Sequence, residues 1–299
     1  MAKSMTTLHL GIDTDDDGFL ALQLVPNPTK PRGGVVVLDE WLLDQLHLAF
    51  DEIESGPTPR GFLLESASER VFVAGADLAE IDACDDEALH RYLEKGARAY
   101  MRITSLACPS VALIGGAALG GGLEIAMHCD GLVGVRTAED EKPYLIGLPE
   151  AGLGLCPGWG GTQMLPARMN AADAISATAN GKPFKSNSIP AGLFDEQVAC
   201  RETLAEAGRF WLNSNPRKRQ WETPRCIADL SADELAIALE TAGQSIAETD
   251  AARAVVECVK SGINHGFQTA LETERRNLVA LRHTPAAREK LESFLNNAR

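Results

Sequence analysis

Residues 109–128, PSVALIGGAALGGGLEIAMH, constrain the fold of this chain more than any other stretch. They open on an uninterrupted apolar run, 109–116, of the kind seen in strands buried on both faces. Residues 120–128 read as a helix led by three glycines. A strand buried on both faces needs helices packed above and below it, so the run predicts an α/β class with mostly parallel crossovers. The rest of the front half agrees. Leu8 to Leu24 reads as two short strands around an acidic turn at Asp13–Gly18, followed by a Pro/Gly/Lys loop at 26–34. Leu38, Leu42, Leu46, Ala49, Phe50 and Ile53 recur at helical spacing. Strands are expected at 61–64, 70–73 and 131–135, and a long helix at 86–106. From about residue 200 nearly every segment is helical in pattern, with a capping box at Ser231 and Glu234. The boundary region is 200–225, which divides the chain into an α/β core, 1–210, and a helical region, 211–299.

A chain of 299 residues with 45% apolar content buries a core without disulfides or metals. Its 28 basic and 42 acidic residues give a net charge of −14, the wrong sign for a general nucleic-acid binder. The Lys30–Arg32 loop is a local basic exception. The seven cysteines include no C-x-x-C pair, and the six histidines have no ligand spacing. No metal is therefore expected, and the thiols fit a reducing, cytoplasmic setting. The sequence contains no 18-residue apolar run and no apolar core of a signal peptide near residue 1, so neither membrane insertion nor export is expected.

Three glycine-rich stretches carry the chemistry: 72-FVAGADLAEID-82, 115-GGAALGGGLEIAMHCD-130 and 147-GLPEAGLGLCPGWGGTQMLP-166. Nucleotide fingerprints fail in them. Gly121 stands where a phosphate-binding loop needs lysine, and Gly152, Gly154 and Gly158 lack the dinucleotide spacing. In 120-GGGLE-124 backbone N–H groups meet a helix start, which favours an anion. Glu124 lies one turn into an otherwise apolar helix. If buried it becomes an acid/base group with a raised pKa; the alternative is a solvent-facing or N–H-paired glutamate. Ala76 supplies a second loop N–H, and two such donors are the minimum for an oxyanion hole. Glu150, after Pro149, supplies a second carboxylate.

Taken together, in order and over about 220 residues, these stretches resemble the crotonase superfamily, in its enoyl-CoA hydratase/isomerase branch. The segments 181–198 and 284–297 are similar to its core-closing segment and terminal helix. GLPEAGLGL is most similar to the hydratase domain of multifunctional fatty-acid oxidation proteins, although the chain stops too early for a following dehydrogenase domain. The resemblance implies a crotonase (ClpP-like) spiral of ββα units with a C-terminal helical region, assembled as a homotrimer or dimer of trimers. It implies an acyl-CoA thioester substrate and no permanently bound cofactor, coenzyme A arriving as part of the substrate. It makes Glu124 and Glu150 the acid/base pair and the N–H groups of Ala76 and Gly121 the oxyanion hole. Lys30, Arg32, Ala74, Gly75, Asp77, Gly120, Pro149 and Trp159 would border substrate or coenzyme A. The implied activity is hydration of a trans-2-enoyl-CoA. The rivals are double-bond isomerisation, another crotonase reaction, a non-catalytic acyl-CoA-binding subunit and, as the outsider, a nucleotide-binding oxidoreductase.

This chain also departs from the family pattern. Glu150 stands 26 residues after Glu124, a longer interval than usual, and the extra residues in 137–145 predict an extended hairpin or lid beside the site. Trp159 replaces a smaller residue and either narrows the acyl pocket or fills core, core being the reading its size favours. Pro190 interrupts a helix, Lys290 replaces a glycine, and the last residues lack a basic pair.

Overall fold

Apolar runs bounded by turn residues become strands here, and the chain lays them down in a repeating strand–strand–helix order. The structure is a computed structural model describing residues 7–30, 33–216 and 223–297. β1 (Gly11–Thr14) and β2 (Phe19–Leu24) form a hairpin around the acidic turn, followed by α1 (Glu40–Ser55). β3 (Gly61–Ser66) and β4 (Val71–Val73) lead to α2 (Leu78–Ala83) and α3 (Asp86–Ser105). β5 (Ser110–Ile114) and β6 (Ala117–Leu119) lead to α4 (Gly121–Met127). β7 (Gly131–Val135) and β8 (Leu145–Gly147) lead, through a 3-10 turn at Glu150–Leu153, to α5 (Gly161–Arg168) and α6 (Ala171–Ala179). Then come β9 (Phe184–Lys185), β10 (Glu196–Val198), α7 (Leu204–Ser214), α8 (Ala232–Gly243), α9 (Asp250–His265), α10 (Phe267–Leu281) and α11 (Pro285–Asn297).

After the β1–β2 hairpin, which lies wholly in the larger sheet, each strand pair contributes one strand to each of two sheets. The larger has the order β1-β2-β3-β5-β7-β10 and is parallel from β2 onward. The smaller has the order β4-β6-β8-β9, with only β9 antiparallel. β5 and β7, wholly buried, occupy the interior of the large sheet. Alternate side chains serve its two faces. Leu63, Val111, Leu113 and Val133 meet α7, while Leu22, Leu64, Ala112 and Leu132 enter the main core. There they join the apolar stripe of α1, each buried leucine contributing about 1.5–3 kcal/mol.

Most helices begin on their own polar cap: Asp39 for α1, Asp85 for α3, Asn170 for α6, Ser231 with Glu234 for α8, and Thr249 for α9. α5 has none, because Gly160 precedes it in the left-handed conformation. Its free amides are satisfied from elsewhere in the fold. The helices α9, α10 and α11 fold back over the strand–helix windings and share the main core with them. Around Pro190 the chain forms turns rather than a helix. Among the described residues no helix is long and apolar enough to cross a membrane.

Candidate active site

Three neighbouring parallel strands, β4, β6 and β8, end side by side, so the loops that leave them meet at one edge of the small sheet. Those loops carry Ala74–Ala76, Gly120–Gly121 and Pro149–Glu150. They border a cavity together with Glu124, Trp159 and apolar side chains including Leu78, Ile81, Leu93 and Leu278. The topology thus gathers residues that the sequence scatters over about eighty positions.

The loop after β4 is held by its neighbours' backbone groups. Leu38 N–H donates to Gly75 O at 2.9 Å, and Asp77 N–H donates to Leu38 O at 3.2 Å. The Ala76 N–H between them has no partner among the described residues. Neither has that of Gly121, the first residue of α4. Gly120 takes φ +53, and a methyl group there would stand 2.5 Å from Glu150 Oε1, so the carboxyl of Glu150 lies directly against this backbone. A methyl group on Gly121 would run into the Trp159 ring.

Three glutamates gather around these loops, Glu124 and Glu274 buried and Glu150 half-buried. Glu124 is 1% exposed, and its Oε1 accepts from both Trp159 N–H and Gly161 N–H at 2.8 Å. Burial, then the neighbouring Glu274 and Glu150 carboxylates, pushes it well above the usual carboxylate range. Glu150 begins the 3-10 turn, and its Oε2 is buried without a partner. Burial, with the Glu274 charge adding to it, pushes Glu150 up to about 8. Glu274, on α10, is fully buried. Its Oε2 accepts from Gly160 N–H at 2.6 Å, and its Oε1 from Thr162 N–H at 3.0 Å and Thr162 Oγ1–H at 2.5 Å. Burial pushes it up to about 7 against the pull of those donors. Such a trio shares protons at neutral pH and combines acid and base capacity in one place.

Trp159 is both core and cavity wall. Its Nε1–H donates to Leu93 O at 2.8 Å, and its ring packs against Tyr92 and Tyr100 while also lining the cavity. His128, buried and pushed down to about 4 by burial, contacts Thr104 and Trp159 O as a core residue.

Nine of the sequence-predicted residues therefore border one cavity: Ala74, Gly75, Ala76, Gly120, Gly121, Glu124, Pro149, Glu150 and Trp159. Asp77 faces elsewhere. Its side chain caps α2, accepting from Ala79 N–H at 3.0 Å, and it pairs with Lys30 at 3.2 Å. Lys30 also pairs with Glu80 and, at 3.8 Å, with Asp39, so its charge is matched by three carboxylates. Arg32 lies outside the described residues. The segment 137–144 does not line the cavity. It is a turn stapled to the sheets by Tyr144 Oη–H to Val135 O and by Ser186, which contacts Thr137 Oγ1 at 2.8 Å and accepts from Tyr144 N–H at 3.0 Å. The expected lid is absent from this edge, and Glu150 still reaches Gly120. Glu274 escaped the sequence reading. Its signal is an acid on the apolar stripe Ala270, Leu271, Glu274, Leu278 of α10.

Residues 35–218 match the family model for enoyl-CoA hydratase/isomerase. The fatty acid oxidation complex subunit alpha of Shewanella amazonensis is 29% identical over 280 residues, which cover 90% of this chain and 38% of that protein. The chain thus spans well under half the length of that curated relative. The solved enoyl-CoA hydratase of Bacillus halodurans superposes with a TM-score of 0.66 at 21% identity, over 95% of this chain and 99% of that one. Human mitochondrial delta3-delta2-enoyl-CoA isomerase does so equally, with a TM-score of 0.66 at 20% identity over 96% and 97%. At such identities the likeness is one of fold.

Proposed function

This chain belongs to the enoyl-CoA hydratase/isomerase family, and on that premise we propose that it is an enoyl-CoA hydratase, adding water across the 2,3 double bond of a trans-2-enoyl-CoA to give a 3-hydroxyacyl-CoA. The observation that carries the reading is that buried Glu124 and half-buried Glu150, its Oε2 shielded, border one cavity together with Ala76 and Gly121, whose N–H groups have no partner among the described residues. The thioester oxygen accepts from those two N–H groups, which stabilise the negative charge it gains as the enolate forms. Glu124, its Oε1 held by two backbone donors, orients and activates the water that attacks C3. Glu150 has no donor on Oε2, whereas Glu124 accepts two backbone N–H groups, so Glu150 is assigned the proton that passes to C2. The proton taken from water returns to the pair, and the site is restored without any permanently bound cofactor.

Coenzyme A enters with the substrate. Its phosphates are assigned to the Lys30–Arg32 loop, of which Lys30 pairs with Asp77 beside the loop after β4. The reading includes a cytoplasmic setting, in keeping with seven free thiols. It also includes a homotrimer or dimer of trimers, for which exposed Phe210, Ile237 and Phe294 on α7, α8 and α11 offer apolar surface.

The test is loss of enoyl-thioester absorbance with crotonyl-CoA, run beside a 3-enoyl-CoA as isomerase substrate. Hydration is expected with the wild-type chain, and a fall of roughly 10²–10⁴-fold in Glu124→Gln and Glu150→Gln. Turnover of the 3-enoyl substrate alone assigns isomerisation instead. Coenzyme A binding without turnover of either assigns a binding subunit.

A further inference from the structure

The four successive amides at the start of α5 alternate between two buried carboxylates. Trp159 N–H and Gly161 N–H donate to Glu124, and Gly160 N–H and Thr162 N–H donate to Glu274. A helix start normally satisfies its amides with its own cap or with water. Here the left-handed Gly160 turns successive N–H groups to opposite sides, and each side ends on a glutamate from another element, α4 or α10. Glu274 and Glu124 are therefore two jaws on one short segment. That segment also carries Trp159, whose ring packs against Gly121, so three pieces of the proposed site hang from it.

We propose that Glu274 is a positioning residue: by gripping Gly160 and Thr162 it sets the attitude of the Trp159–Gly161 amides and so holds the carboxyl of Glu124 in its working orientation. Three observations favour this over plain core filling. Glu274 receives three hydrogen bonds, all from Gly160 and Thr162. A charged side chain is strongly disfavoured at a fully buried position unless its bonds are made. Gln163, next along the segment, extends the grip by donating to Thr162 Oγ1 at 2.7 Å and Cys258 O at 2.9 Å.

The grip is also electrical. Glu274 stands among Glu124 on α4, Glu150 at the 3-10 turn, Cys156 with its Sγ–H on Glu274 O, and Cys258 on α9. His128 lies behind Trp159, with Arg168 beyond it. Among these, the neighbours that Glu274 repels most directly are the other two glutamates. Removing its charge lowers the pH at which Glu124 ionises, because a negative neighbour disfavours a second negative charge.

The amides themselves report this. In protein labelled with ¹⁵N-glycine, the Gly161 resonance follows the ionisation of Glu124, and that of Gly160 follows Glu274. In Glu274→Gln the Gly161 midpoint is expected to move to lower pH by about one pH unit. With an enoyl-CoA substrate, kcat is expected to fall about 10²-fold with KM changed far less, the signature of a displaced group rather than a lost binding contact. The low-pH limb of kcat/KM moves down with the Gly161 midpoint. Glu274→Asp, which keeps the charge and loses reach, is expected to keep the Gly161 midpoint and still lose kcat; it also serves if the glutamine variant does not fold. An unmoved Gly161 midpoint in Glu274→Gln, or wild-type kcat in Glu274→Asp, overturns the proposal. The kinetic arm rests on the hydratase reading; the resonance arm does not. Absence of enoyl-CoA turnover in the wild-type chain rejects that reading, and the Gly161 midpoint then decides the role of Glu274 by itself.

Discussion

Glu150 keeps a carboxyl oxygen buried with no partner, and that arrangement leaves a mark on stability as well as on chemistry. The folded chain holds its proton up to about pH 8, against an ordinary value of 4.5. A raised folded pKa means that the folded state binds the proton more tightly than the unfolded one. The stabilisation is complete below the unfolded value and is lost as pH rises through the folded value. The unfolding free energy from urea titrations is therefore expected to decline between pH 4.5 and about 8, by no more than about 1.4 kcal/mol per pH unit for this one group. Glu150→Gln removes that contribution, so its stability should decline less steeply; parallel slopes would exclude a Glu150 that holds its proton in the folded chain. The motif around Glu150 was legible, because Pro149, the glycines and an acid in an apolar run lie within a few positions. Glu274 was not legible as a partner of the site. Its contacts with Gly160 and Thr162 span 114 and 112 residues, a separation that no local pattern encodes.

At the scale of elements, long elements declared themselves and short ones did not. β5 and β7 show as continuous apolar runs, and α3 shows its stripe over 20 residues. β6 and β8 are three residues each, too short to display a period of two, and β6 falls in the gap between the run 109–116, which reads as one strand, and the glycine-led helix at 120. Yet these short strands align the loops that border the cavity. The segment 137–145 misled for the opposite reason. The longer Glu124–Glu150 interval predicts a hairpin or lid beside the site; residues 138–142 are indeed exposed, but sequence does not tell on which side of the sheets an insertion projects. Tyr144 and Ser186 tie it between β7 and β9, away from the cavity lining. Replacing Glu139–Glu141 by a shorter glycine linker is accordingly expected to leave kcat/KM for crotonyl-CoA within about two-fold, as for other exposed loop tips. A ten-fold loss would restore the segment to the site.

On the scale of the whole molecule, the rear helices and the front windings form one physical unit around the cavity. α10 supplies Glu274 and Leu278, and α11 packs Ala287 so closely on Gly154 that a methyl group there would stand 2.8 Å from the Ala287 Cα. The outward faces of several helices remain, where Phe210 and Ile237 are 62% and 64% exposed. Burying them between copies gains hydrophobic free energy, but each copy brings a net charge of −14. Like charges on associating subunits repel, and salt screens that repulsion over about 10 Å at 0.1 M ionic strength. Assembly is therefore expected to tighten with salt. Light scattering should give three or six times the 32.0 kDa chain mass at moderate ionic strength, with dissociation on dilution into low salt. Ile237→Glu adds a charge and removes apolar area on α8, and should weaken the assembly if α8 forms part of its contact. A single-chain mass at every salt concentration would remove the oligomer from the proposal.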